Sequence, residues 1–270
     1  MAMNDNRDAA ATGRVLCERQ GAIAWVTLSH PGRLNAITVA MWDQLAEIFG
    51  GLSADMDLRC VVLRGEGGNF AAGADIREFP QERGKLDSVM HYHMQVIAPA
   101  LAAVAACPHP VLAQIEGVCV GGGLEIASQC DLRIAGQSAR LGVPINQLGF
   151  PMAPEEMRGL LALAGRATTL EILLEGRIFN ASQALAKGLL TRVLPDADLA
   201  QDVMRTAGRL AQGAPLAARL NKQTINRLSV QPEPLTRDEL QSLFSYAQSR
   251  DHQEGVRAFL AGEPPVFSGE

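Results

Sequence analysis

The first part of the chain alternates short apolar runs with longer stretches of helical periodicity. "RVLCERQ" and "AIAWVTLSH" predict two β-strands joined by a turn at Gly21. In "ITVAMWDQLAEIFGGL" the apolar residues recur at helical spacing, which predicts a helix that ends at Gly50 and Gly51. The chain is therefore expected to open with two strands followed by a helix.

Three later apolar runs predict buried strands of a mostly parallel sheet, because strands covered on both faces have nearly continuous apolar sequences. These runs are "LRCVVLRG", "PVLAQIEGVCV" and "CDLRIAG". Helical patterns separate them, in "KLDSVMHYHMQVIAPALAAVAAC" before Pro108 and in "LEIASQC" after a run of glycines. This alternation of strand and helix indicates an α/β fold.

Beyond about Met157 the pattern changes to amphipathic helices, with one short strand expected at "TRVLP". A further compositional change near residue 200 predicts a helical extension at the C-terminus. We therefore expect a disordered tail over 1–13, an α/β core over 14–200 and a helical region over 201–270.

Charge and apolar content exclude several functional classes. The net charge of -5 and the absence of a basic block argue against a nucleic-acid partner. The first residues, "MAMNDNRDAAATG", lack the pattern of a secretory signal, and no apolar run approaches the roughly 18 residues of a membrane span. The sequence thus predicts a cytoplasmic protein without a membrane partner.

The cysteine and histidine positions give little support for a metal site or a disulfide framework. Five cysteines are widely spaced among apolar neighbours, so we expect them to be small buried side chains. His91 and His93 offer two imidazoles, but no second cluster lies at ligand spacing. We predict no metal, and interpret "HYH" as a helix face that is solvated or lines a pocket.

Two glycine-rich turns follow predicted strands, over Gly65–Phe79 and Gly117–Asp131. Small residues let a ligand approach the main chain, and free N–H groups at a helix start can meet negative charge. The dinucleotide-binding fingerprint fails, because Ile126 stands where the third glycine would be. A phosphate-binding loop fails too, since no Gly-Lys-Ser or Gly-Lys-Thr follows.

Taken together, "FAAGADI" and "GVCVGGGLE" resemble the two signatures of the enoyl-CoA hydratase/isomerase family, the crotonase superfamily. "PGRLNAIT", "EILLEGRIFNASQALAKGLLTRVLP" and "PPVFSG" also resemble family segments. The resemblance implies a crotonase-like spiral of repeated ββα units, with an acyl-CoA thioester as substrate. It also implies C-terminal helices used in trimerisation, giving a homotrimer or a dimer of trimers. Coenzyme A is expected as part of the substrate, with no permanently bound cofactor.

The same resemblance assigns the thioester oxygen to two backbone N–H groups, those of Ala74 and Gly122. Such donors stabilise the oxyanion that forms when a proton leaves Cα or a nucleophile adds at Cβ, and losing one typically costs about 10²–10³ in rate. Neither role depends on a side chain.

The resemblance also identifies residues that lie along coenzyme A. These are Ala72, Gly73, Asp75 and Ile76, with Lys222 in "NKQTIN" as a residue that approaches the CoA phosphates. Asp75 has a purely structural alternative as a helix cap or local ion pair. A lysine on a helix is usually only solvated.

Glu125 is the clearest catalytic side chain, because it falls at the position of the first family glutamate in "GGGLE". A helix N-terminus favours its ionised form, whereas burial beside an acyl chain raises its pKa toward neutrality. The structural alternative is a carboxylate that only compensates the helix dipole.

The second family glutamate falls on Ile145, within "RLGVPINQLGFP". Isoleucine transfers no proton, which weakens a two-glutamate hydratase mechanism. Three alternatives remain open: Glu155 or Glu156 reaches the pocket, Glu125 alone moves a proton between carbons, or the pocket performs another enolate reaction such as decarboxylation. A non-catalytic acyl-CoA-binding subunit belongs to the third alternative.

Overall fold

The structure, a computed structural model, describes residues 12–270. Its strands are β1 Arg14–Gln20, β2 Ile23–Ser29, β3 Cys60–Gly65, β4 Val111–Ile115, β5 Val118–Val120, β6 Leu132–Gly136, β7 Arg140–Gly142, β8 Ile178–Asn180 and β9 Arg192–Leu194. Its helices are α1 Val39–Ala54, α2 Phe79–Glu82, α3 Leu86–His91, α4 Ala98–Ala106, α5 Gly122–Gln129, α6 Pro154–Glu175, α7 Ala181–Ala186, α8 Asp196–Gln212, α9 Pro215–Val230, α10 Arg237–Phe244 and α11 Arg250–Ala261. A π-helical turn, Tyr92–Ile97, joins α3 to α4, and short 3₁₀ turns cover Ile76–Glu78, Ile145–Leu148 and Ser245–Gln248.

Six strands form the main sheet, in the order β1-β2-β3-β4-β6-β9. The hairpin β1-β2 is antiparallel, and each later neighbour pairs in parallel. Gly21 closes the hairpin with a φ of 61°, a conformation that favours glycine. The predicted α/β fold of ββα units is confirmed.

Alternate side chains of the main sheet enter two different apolar layers. Val61 and Leu63 of β3 face the larger core, which contains α1, α4 and α5. Cys60 and Val62 face the opposite side, where α8 covers the sheet with Leu199, Val203 and Ala207. Burial on both faces explains why these strands have continuous apolar sequences.

A second, smaller sheet arises where one strand was expected. "PVLAQIEGVCV" does not form a single strand, because the chain turns at Gly117 with a φ of 49°. The part before the turn joins the main sheet as β4, whereas the part after it pairs with β7 as β5. β8 then pairs antiparallel with β7. The sequence interpretation missed β7 and β8, which have only three residues each.

Helix α1 does not end at Gly50 and Gly51 as predicted, but continues to Ala54. The helix persists because Phe49 is buried and Leu52 packs against the same core. Tertiary packing thus outweighs the low helix propensity of two adjacent glycines.

Four cysteines are buried, as expected, whereas Cys17 on the edge strand β1 is exposed. β1 is an edge strand, and Cys17 lines an open surface groove beside α1 with Gln44 and Ile48 rather than the closed core. The expectation of burial is therefore wrong for this one cysteine.

The helical run Leu86–Ala106 passes a length and hydropathy test for a membrane span, with a mean hydropathy of 1.3. The sequence interpretation had found no such run. Here the helical run contributes Tyr92, Ile97 and Leu101 to the protein core. Core helices often pass the same test, because apolar residues also suit a protein interior.

Helices dominate the chain after residue 195, and α8 crosses residue 200 while packing on the sheet. Phe259 and Leu260 of α11 are 86% and 80% exposed in the single chain. The division at 200 and the role of 201–270 in trimerisation remain predictions. Of the expected tail, residues 1–11 lie outside the described residues.

Two glycines provide a matched test of how tightly the core is packed. A Cβ on Gly123 would lie 2.5 Å from the Ala71 backbone oxygen, whereas one on Gly50 would meet nothing within 4 Å. We expect Gly123→Ala to lower the free energy of unfolding by about 1–3 kcal/mol. Gly50→Ala is expected to raise it by about 0.5–1 kcal/mol. Urea unfolding at one protein concentration measures both; equal effects of the two substitutions would contradict the packing.

Candidate active site

The two glycine-rich turns lie side by side. Ala71 and Cys119 form an isolated parallel bridge, in which the Ala71 N–H donates to the Val118 carbonyl and the Val120 N–H donates to Ala71. Both bonds measure 3.0 Å. Segments some fifty residues apart in sequence are thereby held in one register.

This approach requires glycine at position 73. Gly73 has a φ of 95°, and a Cβ added there would lie 3.3 Å from the Val120 oxygen and 3.6 Å from the Gly122 nitrogen. A larger residue would be strained in its backbone and would push the two turns apart. Glycine at position 73 therefore allows the main chains of the two turns to come into contact, which a larger residue would prevent.

The N–H groups of Ala74 and Gly122 converge at this contact. Ile37 donates to the Gly73 carbonyl and accepts from Asp75 N–H, so the N–H of Ala74 between them points away from Ile37. Gly122 is the first residue of α5, where N–H groups have no intrahelical acceptor. A Cβ on Gly122 would lie 3.5 Å from the Ala74 nitrogen. Within residues 12–270 neither N–H donates to another protein group.

A pocket opens beside these two N–H groups. It is lined by Trp42, Ala72, Gly73, Ala74, Ile76, Phe79, Arg83, Ile97, Val120, Gly121, Gly122, Glu125, Pro144, Ile145, Leu148, Phe150 and Glu156. Most of the side chains in this set are apolar. The sequence-predicted residues Asp75, Glu155 and Lys222 are not among the lining residues.

Glu125 lies in the first turn of α5 and is only 6% exposed. Its carboxyl group forms no hydrogen bond with any residue that the structure describes, which leaves it available to a ligand. Burial and the neighbouring charge of Glu156 raise the pKa of Glu125 well above its ordinary range, and the positive charge of Arg83 opposes that increase. The environment therefore favours a protonated carboxyl group at this position.

The structure separates the two neighbouring acids at the start of α6. Glu156 is 3% exposed and lines the pocket. The side chain of Glu155 is 39% exposed and pairs with Arg158 one helical turn away. Of the two alternatives left open by the sequence, only Glu156 shares a pocket with Glu125.

Glu156 has a buried partner in His93. The His93 Nδ1 and the Glu156 Oε1 lie 2.5 Å apart, and His93 is 8% exposed. The π-helical turn makes this pair possible, since its wider hydrogen-bonding pattern directs both Tyr92 and His93 into the interior. The motif "HYH" thus lines the interior through its second histidine. Within residues 12–270, no three His, Cys, Asp or Glu side chains gather as metal ligands would.

Ile145 lines the pocket from the 3₁₀ turn that follows Pro144, where the resemblance placed a second glutamate. The position is therefore part of the site, although its side chain is apolar. Besides Glu125, the acid that lines this pocket is Glu156 of another element, α6.

Asp75 and Lys222 are engaged elsewhere. Asp75 caps the 3₁₀ turn through Arg77 N–H and forms an ion pair with the Arg77 guanidinium, whose hydrogen bond lowers the pKa of Asp75. The Lys222 ammonium is buried, and donates to Asp131 at 2.7 Å and to the His109 carbonyl at 3.0 Å. Contacts of either residue with coenzyme A remain predictions.

Arg83 is the charged lining residue that the sequence analysis did not identify, along with aromatic residues such as Phe79 and Phe150. Its guanidinium carbon lies 4.0 Å from the ring centroid of Phe79 and 4.1 Å from that of Phe150. The two rings belong to different segments of the chain, so no local sequence pattern reveals this arrangement.

Comparison with known proteins identifies the family of this chain. The model of the enoyl-CoA hydratase/isomerase family matches residues 18–270. The chain belongs to that family.

Solved structures share the same fold over nearly their whole length. An enoyl-CoA hydratase/carnithine racemase from Magnetospirillum magneticum is 45% identical, with a TM-score of 0.93, and the match covers 96% of this chain and 97% of that one. An enoyl-CoA hydratase from Bacillus anthracis is 27% identical, with a TM-score of 0.84 and coverage of 95% and 100%. The crotonase fold is thereby confirmed.

A sequence relative extends the comparison. The short-chain-enoyl-CoA hydratase of Clostridium acetobutylicum is 30% identical over 215 residues, which cover 79% of this chain and 81% of the relative. This family member is therefore similar over most of its length to a protein that is named as an enzyme.

Replacing Glu125 by glutamine tests the electrostatics of this pocket. A carboxyl group with a raised folded-state pKa contributes stability below its unfolded pKa, and that stability is lost as pH rises toward the folded pKa. The neutral amide that replaces the carboxyl group in Glu125→Gln avoids the loss. From about pH 5 upward, this variant should therefore gain stability over the parent by up to about 1.4 kcal/mol per pH unit, until Glu125 ionises in the folded parent protein.

Urea unfolding between about pH 4 and about pH 8 measures this difference. Glu155→Gln, at the partly exposed acid, is the matched control and should show no comparable trend. A difference between Glu125→Gln and the parent that stays constant with pH would contradict the burial of Glu125.

Proposed function

We propose that this family member hydrates 2-enoyl-CoA thioesters, with Glu125 and Glu156 as the acid–base pair. The observation that carries the proposal is that both carboxyl groups line one pocket with Ala74 and Gly122. Membership of the enoyl-CoA hydratase/isomerase family supports the substrate class. The proposal also includes no permanently bound cofactor and assembly as a trimer or a dimer of trimers.

The first step is polarisation of the thioester carbonyl. In the proposed complex its oxygen accepts hydrogen bonds from Ala74 N–H and Gly122 N–H, which converge beside the pocket. Negative charge moves toward that oxygen as a nucleophile adds at Cβ, and fixed donors stabilise it without reorganisation. The dipole at the start of α5 acts in the same direction.

The second step divides two proton transfers between two carboxyl groups. Two carboxylates in one buried pocket repel each other, so the pair retains one proton. The raised pKa of Glu125 places that proton on Glu125, while Glu156 accepts a hydrogen bond from His93. Opposite protonation states are what a hydration reaction requires.

The bond changes then balance. Glu156 removes one proton from water while the water oxygen forms a bond to Cβ and the carbon–carbon π bond breaks. Glu125 delivers its proton to Cα. The product is a 3-hydroxyacyl-CoA, and the two carboxyl groups have exchanged roles, ready for the reverse reaction or for proton exchange with solvent.

Coenzyme A itself is proposed to lie along the segment that contains Ala72, Gly73, Asp75 and Ile76. Three of these residues line the pocket, and Ile76 is 58% exposed at its edge. Lys222 is kept out of this proposal, since its ammonium is buried against Asp131.

Single substitutions of the three glutamates test the proposed acid–base pair. Glu125→Gln and Glu156→Gln should each lower kcat for hydration of crotonyl-CoA by about 10²–10⁴, because general acid–base assistance is worth that much. Glu155→Gln should retain activity. KM should change little in all three, since the thioester oxygen is held by backbone groups.

Incubation in heavy water, followed by mass spectrometry, identifies the reaction. Hydration adds one water and leaves one deuterium at Cα, whereas isomerisation of a 3-enoyl-CoA leaves the formula unchanged apart from exchange. Full activity in Glu156→Gln would exclude the two-carboxyl mechanism. Isomerisation without hydration would support the alternative in which Glu125 acts alone.

A further inference from the structure

We propose that Arg83 selects acyl-CoA substrates whose acyl chain carries a carboxylate. The inference rests on the proposed function, because it assigns the acyl chain to the pocket that contains Glu125. It deepens that function by naming the substrate class.

The guanidinium of Arg83 is held in a fixed plane by aromatic rings. Phe79 and Phe150 lie 4.0 Å and 4.1 Å from its central carbon, and Tyr92 lies 5.2 Å away. Phe79 and Phe150 also contact each other edge to face, with centroids 5.9 Å apart. Stacking on aromatic faces restricts a guanidinium more than an aliphatic environment does, so its N–H donors are pre-oriented.

Two of those donors have no acceptor among residues 12–270. Nε and Nη1 of Arg83 are buried, and neither forms a hydrogen bond. Among residues 12–270, Arg83 also forms no ion pair. By contrast, Arg77 and Arg158 each pair with a carboxylate. Buried donors without a partner are uncommon because they lose hydration without compensation, and such groups often mark a ligand site.

The position of Arg83 restricts what the ligand is. Arg83 lines the same pocket as Glu125 and Glu156, close enough to influence Glu125 electrostatically. A carboxylate fits the planar fork of a guanidinium with two parallel hydrogen bonds. A ligand carboxylate would also provide hydrogen-bond acceptors for the unpaired Nε and Nη1 of Arg83. A cationic end group would be repelled by the guanidinium charge.

An alternative role for Arg83 is to act only as a counter-charge to Glu125. That role makes a different prediction, because loss of the charge would then affect every substrate equally. A recognition role affects only substrates that bear the carboxylate. Comparison of two substrates that differ in this one group therefore separates the two roles.

The experiment compares crotonyl-CoA with glutaconyl-CoA, in which a carboxylate replaces a hydrogen of the terminal methyl group. The parent enzyme should prefer glutaconyl-CoA in kcat/KM. Arg83→Gln should lower kcat/KM for glutaconyl-CoA on the order of 10²-fold, because a buried charge-assisted contact is lost. Loss of the Arg83 charge also affects Glu125, but that effect is common to both substrates, so the readout is the ratio of the two kcat/KM values: the preference for glutaconyl-CoA should disappear in Arg83→Gln.

Two further variants serve as controls. Arg83→Lys keeps the charge but loses the planar fork, so it should recover only part of the preference. Lys85→Gln removes an exposed charge two residues away that does not line the pocket, and should leave both substrates unaffected. Thermal unfolding of each variant shows whether it is folded.

An equal loss for both substrates in Arg83→Gln would overturn the inference, as would a parent enzyme that prefers crotonyl-CoA. If neither substrate reacts, the proposed hydration fails, but the inference is still tested by binding. Calorimetry with the saturated analogues glutaryl-CoA and butyryl-CoA then decides: tighter binding of glutaryl-CoA that disappears in Arg83→Gln supports it, and equal binding overturns it.

Discussion

The close approach of two backbone segments at Gly73 and Gly122 is the constraint on which the rest of the site depends. A Cβ on Gly122 would lie 3.0 Å from the buried ring of Trp42 and 3.5 Å from the Ala74 nitrogen. The first segment follows β3 of the main sheet, the second follows β5 of the smaller sheet, and the bridge between Ala71 and Cys119 fixes their register. The N–H groups of Ala74 and Gly122 lie side by side only because no side chain intervenes.

The side chains around these backbone groups include buried acids, whose negative charge must be accommodated. Two buried carboxyl groups, those of Glu125 and Glu156, share the pocket beside these backbone groups. Their surroundings differ: burial and the charge of Glu156 raise the pKa of Glu125, which favours its protonated form, whereas Glu156 is paired with His93. Apolar side chains from Trp42 and Ile97 exclude water, which strengthens each of these effects.

Much of the fold was predictable because the signals are local. The hairpin, the buried parallel strands and the strand β9 follow from apolar runs of the right length, and the paired glycine-rich turns identify the site. The failures have non-local causes. Helix α1 passes through two glycines because Phe49 before them is buried and Leu52 after them packs against the core, and β5 leaves the main sheet because Gly117 turns the chain toward β7.

By itself, the sequence determined the α/β class and the family, since both depend on residues that are neighbours along the chain. The roles of the Ala74 and Gly122 N–H groups and of Glu125 follow from the resemblance and remain predictions. The sequence also determined that Ile145 occupies the expected place of a second carboxyl group. Only the tertiary structure decided that Glu156, rather than Glu155, lines the pocket, and that His93 and Arg83 accompany it. Those residues come from separate elements, and their proximity results from how α6 and the π-helical turn pack.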